Sequence, residues 1–152
     1  MATQDDLVRA GVWAAEAKLL EIGSLKYQEV VCTAALLDSA GKITVAAAET
    51  GKQYKVRDII LVGGGTNFAA GGDRLLDLTD GTTVYTTIAN ADLETAPSAS
   101  LPWGNAKVPM LTSKSAVATA AGARLYFAYS GGTTDHSATG SITFTVCLER
   151  VA

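Results

Sequence analysis

The stretch "IILVGGGTNFAAGGDRLLDL", residues 59–78, decides between two fold classes for this chain. An apolar run that enters a cluster of glycines is typical of the first strand of a dinucleotide-binding fold. That fingerprint needs glycine at its first, third and sixth positions, followed by a helix. Counting from Gly63, the sixth position is Phe68, and Gly71 and Gly72 disfavour a helix directly afterwards. No Gly-Lys-Ser/Thr follows either, so the stretch predicts two β-strands joined by a glycine-rich loop.

The residues around this loop alternate between apolar and polar with a period of two, which indicates β-strands. The last strand is the clearest, because Ile142, Phe144, Val146 and Leu148 share one face while threonines occupy much of the other. Asp80-Gly81, between two β-rich runs, is a strong hairpin signal. The predicted strands are 29–36, 42–48, 54–62, 74–79, 82–88, 107–111, 123–129 and 141–151. Many short strands with no helix among them predict a mainly β fold, an antiparallel β-sandwich or barrel.

Residues 3–23 form the one segment with helical spacing. Its apolar residues recur every three or four positions, which predicts a helix that packs along its length. We call this row of side chains the seam: Val8, Val12, Ala15, Leu19 and Ile22. Two alternatives remain open, a helix folded onto its own domain and an arm that reaches a partner. The predicted organisation is therefore a helical arm, 1–23, followed by a β-sandwich domain, 24–152.

The composition argues against several classes of function. A net charge of −3 and a pI near 5.0 disfavour direct nucleic-acid binding. Charged residues are 18% of the chain, against about 25% in ordinary soluble domains. The mean hydropathy is +0.22, yet no apolar run approaches the roughly 18 residues that cross a membrane. We therefore expect the excess apolar surface to be buried in an interface between protein subunits.

No group of residues predicts catalysis, a metal site or a cofactor. Cys32 and Cys147 lack zinc-site spacing and are expected to be small core residues. The only histidine, His136, is expected to be a solvated loop residue. Carboxylates such as Asp77 and Asp80 occur in turn contexts, where contact with solvent is expected to be enough to stabilise their charge. The sequence therefore predicts that the protein is not an enzyme.

Two loops are candidates for contacts. Residues 90–105 have no periodicity and contain Trp103, which either closes one end of the sandwich or contacts a partner. Residues 130–140 are small and polar, and they predict an exposed loop tip.

From about Thr33 to Val151, the order of these features resembles small virion proteins of tailed bacteriophages. The proteins it resembles have a jelly-roll or TNF-like sandwich, and some decorate the capsid as trimeric cement proteins. The predicted N-terminal helix is not part of the resemblance. The segments that carry it are "LLDSAGKITV" (36–45), "GKQYKVRDIIL" (51–61), "GGGTNFAAGGDRLLDL" (63–78), "GARLYFAYSGGTT" (122–134) and "TGSITFTVCLERV" (139–151).

The resemblance implies a structural protein of the virion, assembled in the cytoplasm of the host bacterium. We expect it to form a homotrimer on the capsid surface, to bind the major capsid protein and to stabilise the head, without contacting nucleic acid or membrane. Two alternatives are a tail, baseplate or head-fibre component, and a carbohydrate-binding sandwich that stacks sugars on Trp103. The residues expected at the capsid or trimer interface are Leu7, Val12, Trp13, Leu19, Phe68, Trp103 and Tyr126.

Overall fold

The structure is a computed structural model that describes residues 23–63, 72–89, 106–107, 117–136 and 141–152. The predicted helix up to residue 22 and the predicted contact loop 90–105 lie outside these residues. The described elements are β1 (Leu25–Thr33), α1 (Ala34–Ala40), β2 (Ile43–Ala46), β3 (Tyr54–Gly63), β4 (Leu75–Thr79), β5 (Val84–Ile88), β6 (Ala106–Lys107), β7 (Leu125–Ser130) and β8 (Ser141–Arg150).

The strands form two antiparallel sheets of four, which pack together as a sandwich. Their orders are β1-β8-β3-β6 and β2-β7-β4-β5. The first strand thus pairs with the eighth, the second with the seventh, the third with the sixth and the fourth with the fifth. This nested pairing is what results when one long antiparallel hairpin is rolled into two layers, as in a jelly roll. The predicted mainly β antiparallel sandwich is confirmed.

The core lies between the two sheets and follows the predicted alternation. Ile142, Phe144, Val146 and Leu148 of β8 are all buried. The ring of Phe144 stacks on Phe127 of β7 with centroids 4.5 Å apart, so one aromatic pair joins the two sheets. The other core side chains are Val30, Cys32, Ala34, Leu37, Val45, Val56, Ile59, Leu76, Leu78, Tyr85, Ile88 and Leu125.

A β-bulge in β3 explains why its sequence pattern changes midway. The register against β8 shifts between Val56 and Asp58, which leaves Arg57 as an extra residue. Because of this extra residue, Val56 and Ile59 both point into the core although they are three positions apart. The sequence predicted that both faces of residues 59–62 are covered. Ile60, however, is partly exposed on the outer face.

The first predicted strand, 29–36, was wrong at its C-terminal end, because the chain turns into helix α1 after Thr33. The Thr33 side chain caps this helix by accepting a hydrogen bond from the Leu36 N–H at 3.1 Å. Gly41 ends it in the left-handed conformation, with φ of 68°. Ala34 and Leu37, three positions apart, bury one face of the helix against the core. No helix of the described residues is long and apolar enough to cross a membrane.

The predicted hairpin at Asp80-Gly81 is confirmed, but the solvated state expected for the Asp80 carboxylate was wrong. The Asp80 side chain is only 9% exposed. One of its oxygens accepts hydrogen bonds from the N–H groups of Thr82 and Thr83, at 2.9 and 2.7 Å. The other accepts from the N–H of Ala120, at 2.8 Å, so the residue ties the turn to a distant segment of the chain.

Candidate functional site

A polar cluster forms where the residues before β4 meet residues 131–136. The Asp73 carboxylate accepts hydrogen bonds from the N–H groups of Thr133 and Thr134, at 2.8 and 2.7 Å. These bonds hold the pKa of Asp73 below its usual value. The next residue, Arg74, forms an ion pair with Asp135, and its Nε lies 2.9 Å from an oxygen of that carboxylate. Two consecutive residues just before β4, Asp73 and Arg74, therefore bind the segment that follows β7.

His136 contradicts the expectation of a solvated loop histidine, since it is only 2% exposed. Its Nε2 lies 3.0 Å from the backbone oxygen of Arg74, and its ring centroid lies 5.7 Å from that of Tyr129. A Cβ atom at Gly72 would lie 2.5 Å from Nδ1 and 2.8 Å from Cα of this histidine. Gly72 therefore lets two backbone segments approach closely, which is a mechanical role for one residue of the glycine-rich stretch.

A cavity of about 230 Å³ opens beside this cluster, and its lining residues are Leu37, Asp38, Gly41, Arg74, Tyr129 and Asp135. The buried hydroxyl of Tyr129 has no hydrogen-bond partner among the described residues. Burial, followed by the nearby charges of Asp38 and Asp135, raises the pKa of Tyr129 above its usual value. Partial desolvation and the charge of Asp135 also raise the pKa of Asp38.

The chemistry available in this cavity is limited by the pairing of its charged groups. Arg74 is already bound to Asp135 and to the backbone oxygen of Gly131, at 2.9 and 3.3 Å. The high pKa of Tyr129 keeps its hydroxyl protonated near neutral pH, where it is a poor nucleophile and a poor base. In the part of the chain that the structure describes, no three metal-ligating side chains come together. The cluster thus holds two segments together, and the residues that line it do not assemble a reacting group.

Cys32 and Cys147 are both free thiols, and both are buried, as the sequence predicted. Burial raises the pKa of Cys32 to about 12, so its thiolate is scarce near neutral pH. Cys147 belongs to the outward-facing positions of β8, where its register neighbours are Tyr27 on β1 and Asp58 on β3.

Of the seven residues expected at a capsid or trimer interface, the structure describes only Tyr126. Its side chain is 9% exposed, on the outer face of the second sheet. The Nζ of Lys42 lies 4.5 Å from the ring centroid, and Cζ of Arg124 lies 5.5 Å away. Its own domain therefore covers Tyr126, and its role in an interface stays a prediction. Leu7, Val12, Trp13, Leu19, Phe68 and Trp103 lie outside the described residues.

The structure places exposed apolar side chains on β1 that the sequence analysis missed. Leu25, Tyr27 and Val31 are 46, 65 and 48% exposed, on the face of β1 opposite the buried Val30 and Cys32, and the exposed Glu29 lies among them. We call these three residues the outer row of β1. The strand lies at one edge of its sheet. A sequence signal was present, since Leu25 and Tyr27 alternate with Lys26 and Gln28, but the predicted strand began only at residue 29.

Comparison with protein-family models, with curated proteins and with solved structures found no match to this chain.

Proposed function

We propose that the protein is a non-enzymatic structural protein of a bacteriophage virion, a decoration protein that trimerises on the capsid and stabilises the head. The observation that carries the proposal is apolar surface left over after the sandwich has closed its own core. Four large apolar side chains remain about half exposed or more: Leu25, Tyr27, Val31 and Leu36. A monomer in solution leaves such apolar surface exposed to water, whereas a protein that packs against other copies of itself can bury it.

The jelly-roll strand order supports the proposal because it is the fold that the virion resemblance implies. Many unrelated proteins share this architecture, so the fold alone does not carry a function. The low content of charged residues, 18%, adds to the argument, since it suits a protein whose surface is shared with neighbouring subunits. The expected partners are two further copies of the chain and the major capsid protein.

Binding at a threefold position of the capsid would let three copies contact several capsid subunits at once. Multivalency raises the overall affinity above that of each contact without any new kind of interaction. Among the residues expected at the interface, those of the N-terminal segment are assigned to the capsid contact or to the organisation of the trimer: Leu7, Val12, Trp13 and Leu19.

The first measurement is the native mass of the purified protein by light scattering. Three chains of 15.6 kDa predict a mass of about 47 kDa. A stable monomer at all concentrations would contradict trimerisation in solution. The chains would then have to form the trimer only when they bind the capsid.

The second measurement is co-sedimentation with head particles of the phage that encodes the chain. We expect the full chain to sediment with filled heads and not with isolated tails. Trp13→Ser should weaken this binding at least tenfold, since buried tryptophans are frequent anchors of interfaces. Trp13→Phe, which keeps an aromatic ring, serves as the matched control. Sedimentation with tails alone would favour the tail or baseplate alternative, and binding to a panel of glycans without binding to heads would favour a carbohydrate-binding module.

A further inference from the structure

The cavity beside the polar cluster carries more negative than positive charge. Its lining contains two carboxylates, Asp38 and Asp135, and one cation, Arg74. Arg74 already forms an ion pair with Asp135, its Nε lying 2.9 Å from an oxygen of that carboxylate. The Asp38 side chain forms no hydrogen bond or ion pair with any residue that the structure describes. The lining therefore holds one carboxylate whose charge no direct contact neutralises.

Asp38 lies where its own surroundings oppose its charge. It belongs to the last turn of α1, which contains no basic residue, and a negative charge at the C-terminal end of a helix is unfavourable. Desolvation and the nearby charge of Asp135 raise the pKa of the Asp38 carboxyl above its usual value, although Arg74 and His136 act in the opposite direction. A further cation in the cavity would stabilise both carboxylates at once.

Tyr129 adds an unused hydrogen-bonding group to the same cavity. Its hydroxyl is buried and has no partner among the described residues. The charges of Asp38 and Asp135 both act on this hydroxyl, so the three groups lie within electrostatic range of one another. A buried polar group without a partner costs free energy, which a bound group can recover. Leu37 lines the cavity as well, so apolar surface lies beside the polar groups.

A small organic cation suits this combination better than a metal ion or an anion. Calcium takes roughly six to eight oxygen ligands, whereas no three metal-ligating side chains come together in the described part of the chain. An anion would be repelled by the two carboxylates, and Arg74 is already paired. An ammonium group, in contrast, has three donors, which match two carboxylates and one hydroxyl oxygen. The methylene chain that carries it suits the apolar surface of Leu37.

We propose that this cavity binds the ammonium group of a primary amine, with Asp38, Asp135 and the Tyr129 hydroxyl as its acceptors. The lysine side chain of a partner protein and a free alkylamine both present this group. The cavity volume of about 230 Å³ has room for the four-carbon stem of a lysine as well as its charged head. The inference goes beyond the proposed function, because the lining contains no residue of the outer row of β1 and the site stands whether or not the chain binds capsids.

The test is an NMR titration of the full chain with two amines at pH 7 and low salt, where the attraction between exposed charges is least screened. One amine is n-butylamine, and the other is Nα-acetyl-lysine methylamide, which adds the backbone of a protein-borne lysine. n-Butanol is the uncharged control ligand. Asp38→Asn removes the charge of one carboxylate, and Tyr129→Phe removes only the hydroxyl. Glu49→Gln is the matched control, since it removes one negative charge from a residue outside the lining.

We expect both amines to cause saturable shifts in the amide signals of the lining residues. The dissociation constants should lie in the millimolar range, because both carboxylates are on exposed residues. Asp38→Asn should weaken binding about fivefold and Tyr129→Phe about threefold, whereas Glu49→Gln should leave it unchanged. Tyr129→Phe should unfold at the same temperature as the wild-type protein or at a higher one, because the hydroxyl that it removes has no partner. Weaker binding by this variant would then not reflect a loss of the fold.

The two amines also distinguish the two sources of the ammonium group. Tighter binding of the lysine derivative would assign the cavity to a lysine of a partner protein, and equal binding would assign it to a free amine. The proposal would be overturned if neither amine caused saturable shifts or if n-butanol reproduced them. Binding that Asp38→Asn or Tyr129→Phe left unchanged would also overturn it, because these groups would then not be the acceptors.

Discussion

At the scale of single residues, Asp80 links parts of the chain that are far apart in sequence. Its carboxylate accepts hydrogen bonds from Thr82 and Thr83 in its own turn and from Ala120, forty positions away. Desolvation opposes its ionisation, but the three N–H donors outweigh this effect, and the pKa of Asp80 lies below its usual value. The contact between the turn and the segment before β7 therefore depends on the negative charge of Asp80.

Replacing this carboxylate should cost more stability than replacing a nearby carboxylate with fewer bonds. Asp80→Ala leaves three backbone donors without their acceptor, and we expect the free energy of unfolding to fall by about 2–4 kcal/mol. Asp77→Ala, on β4 three residues before Asp80, is the matched control, since its carboxylate accepts one exposed hydrogen bond from the Thr87 hydroxyl. The control should change stability by about 0.5 kcal/mol or less. Urea unfolding at pH 7 measures both values, and equal losses would contradict the role of Asp80.

The stability that Asp80 contributes should also depend on pH. A carboxyl group whose pKa is lower in the folded protein than in the unfolded chain stabilises the fold above the unfolded value of about 3.9. That contribution is lost as the pH falls through the folded pKa. We therefore expect the difference between the wild-type protein and Asp80→Ala to be largest near pH 6 and to shrink below about pH 4. A difference that stays constant in urea titrations across this range would rule out the linkage.

At the scale of elements, α1 occupies the link between β1 and β2. It is only seven residues long, too short to be stable alone, so its caps and its buried face decide whether it forms. Thr33 supplies the cap at the start, and Leu37 supplies both a buried side chain and the backbone oxygen that accepts the Gly41 N–H at 2.8 Å.

Removing the cap should therefore weaken the fold. Thr33→Val keeps the shape of the side chain but loses the hydroxyl that accepts the Leu36 N–H, and we expect a loss of about 1 kcal/mol. Thr33→Ser keeps the hydroxyl and is the matched control, with a smaller expected loss. Thermal unfolding compares the three proteins. A valine variant as stable as the serine variant would show that the hydrogen bond contributes little.

At the scale of the whole molecule, the sandwich holds together because side chains from both sheets share one core. The stacked pair of Phe127 and Phe144 lies on this boundary, and both residues are fully buried. The sheets share no backbone pairing among the described strands, so the apolar contact between them carries the association of the two layers.

Truncating one of these rings should test that dependence. Phe144→Ala opens a cavity between the sheets and should reduce the free energy of unfolding by about 3–5 kcal/mol. Thr145→Ala, one residue further on and on the outer face, should change it by about 0.5 kcal/mol or less. Chemical denaturation provides the measurement. A loss below about 1 kcal/mol for Phe144→Ala would mean that the layers repack without the ring.

The sequence alone determined the class of fold, because alternation with a period of two places one set of side chains on one face regardless of what packs there. That is why Ile142, Phe144, Val146 and Leu148 were assigned to the core correctly, and why the Asp80-Gly81 hairpin was found. These signals are local, and each can be seen within a few residues.

Only the tertiary structure decided which distant groups meet. The burial of His136 against Gly72 and the bond from Ala120 to Asp80 join segments forty residues or more apart, and no local pattern indicates such pairs. The helix at Ala34–Ala40 and the exposed row on β1 were missed for a related reason: an apolar run is compatible with strand, helix or surface until the packing around it is known. Local periodicity determines which face an element can bury, while the free energy of packing decides what that face contacts.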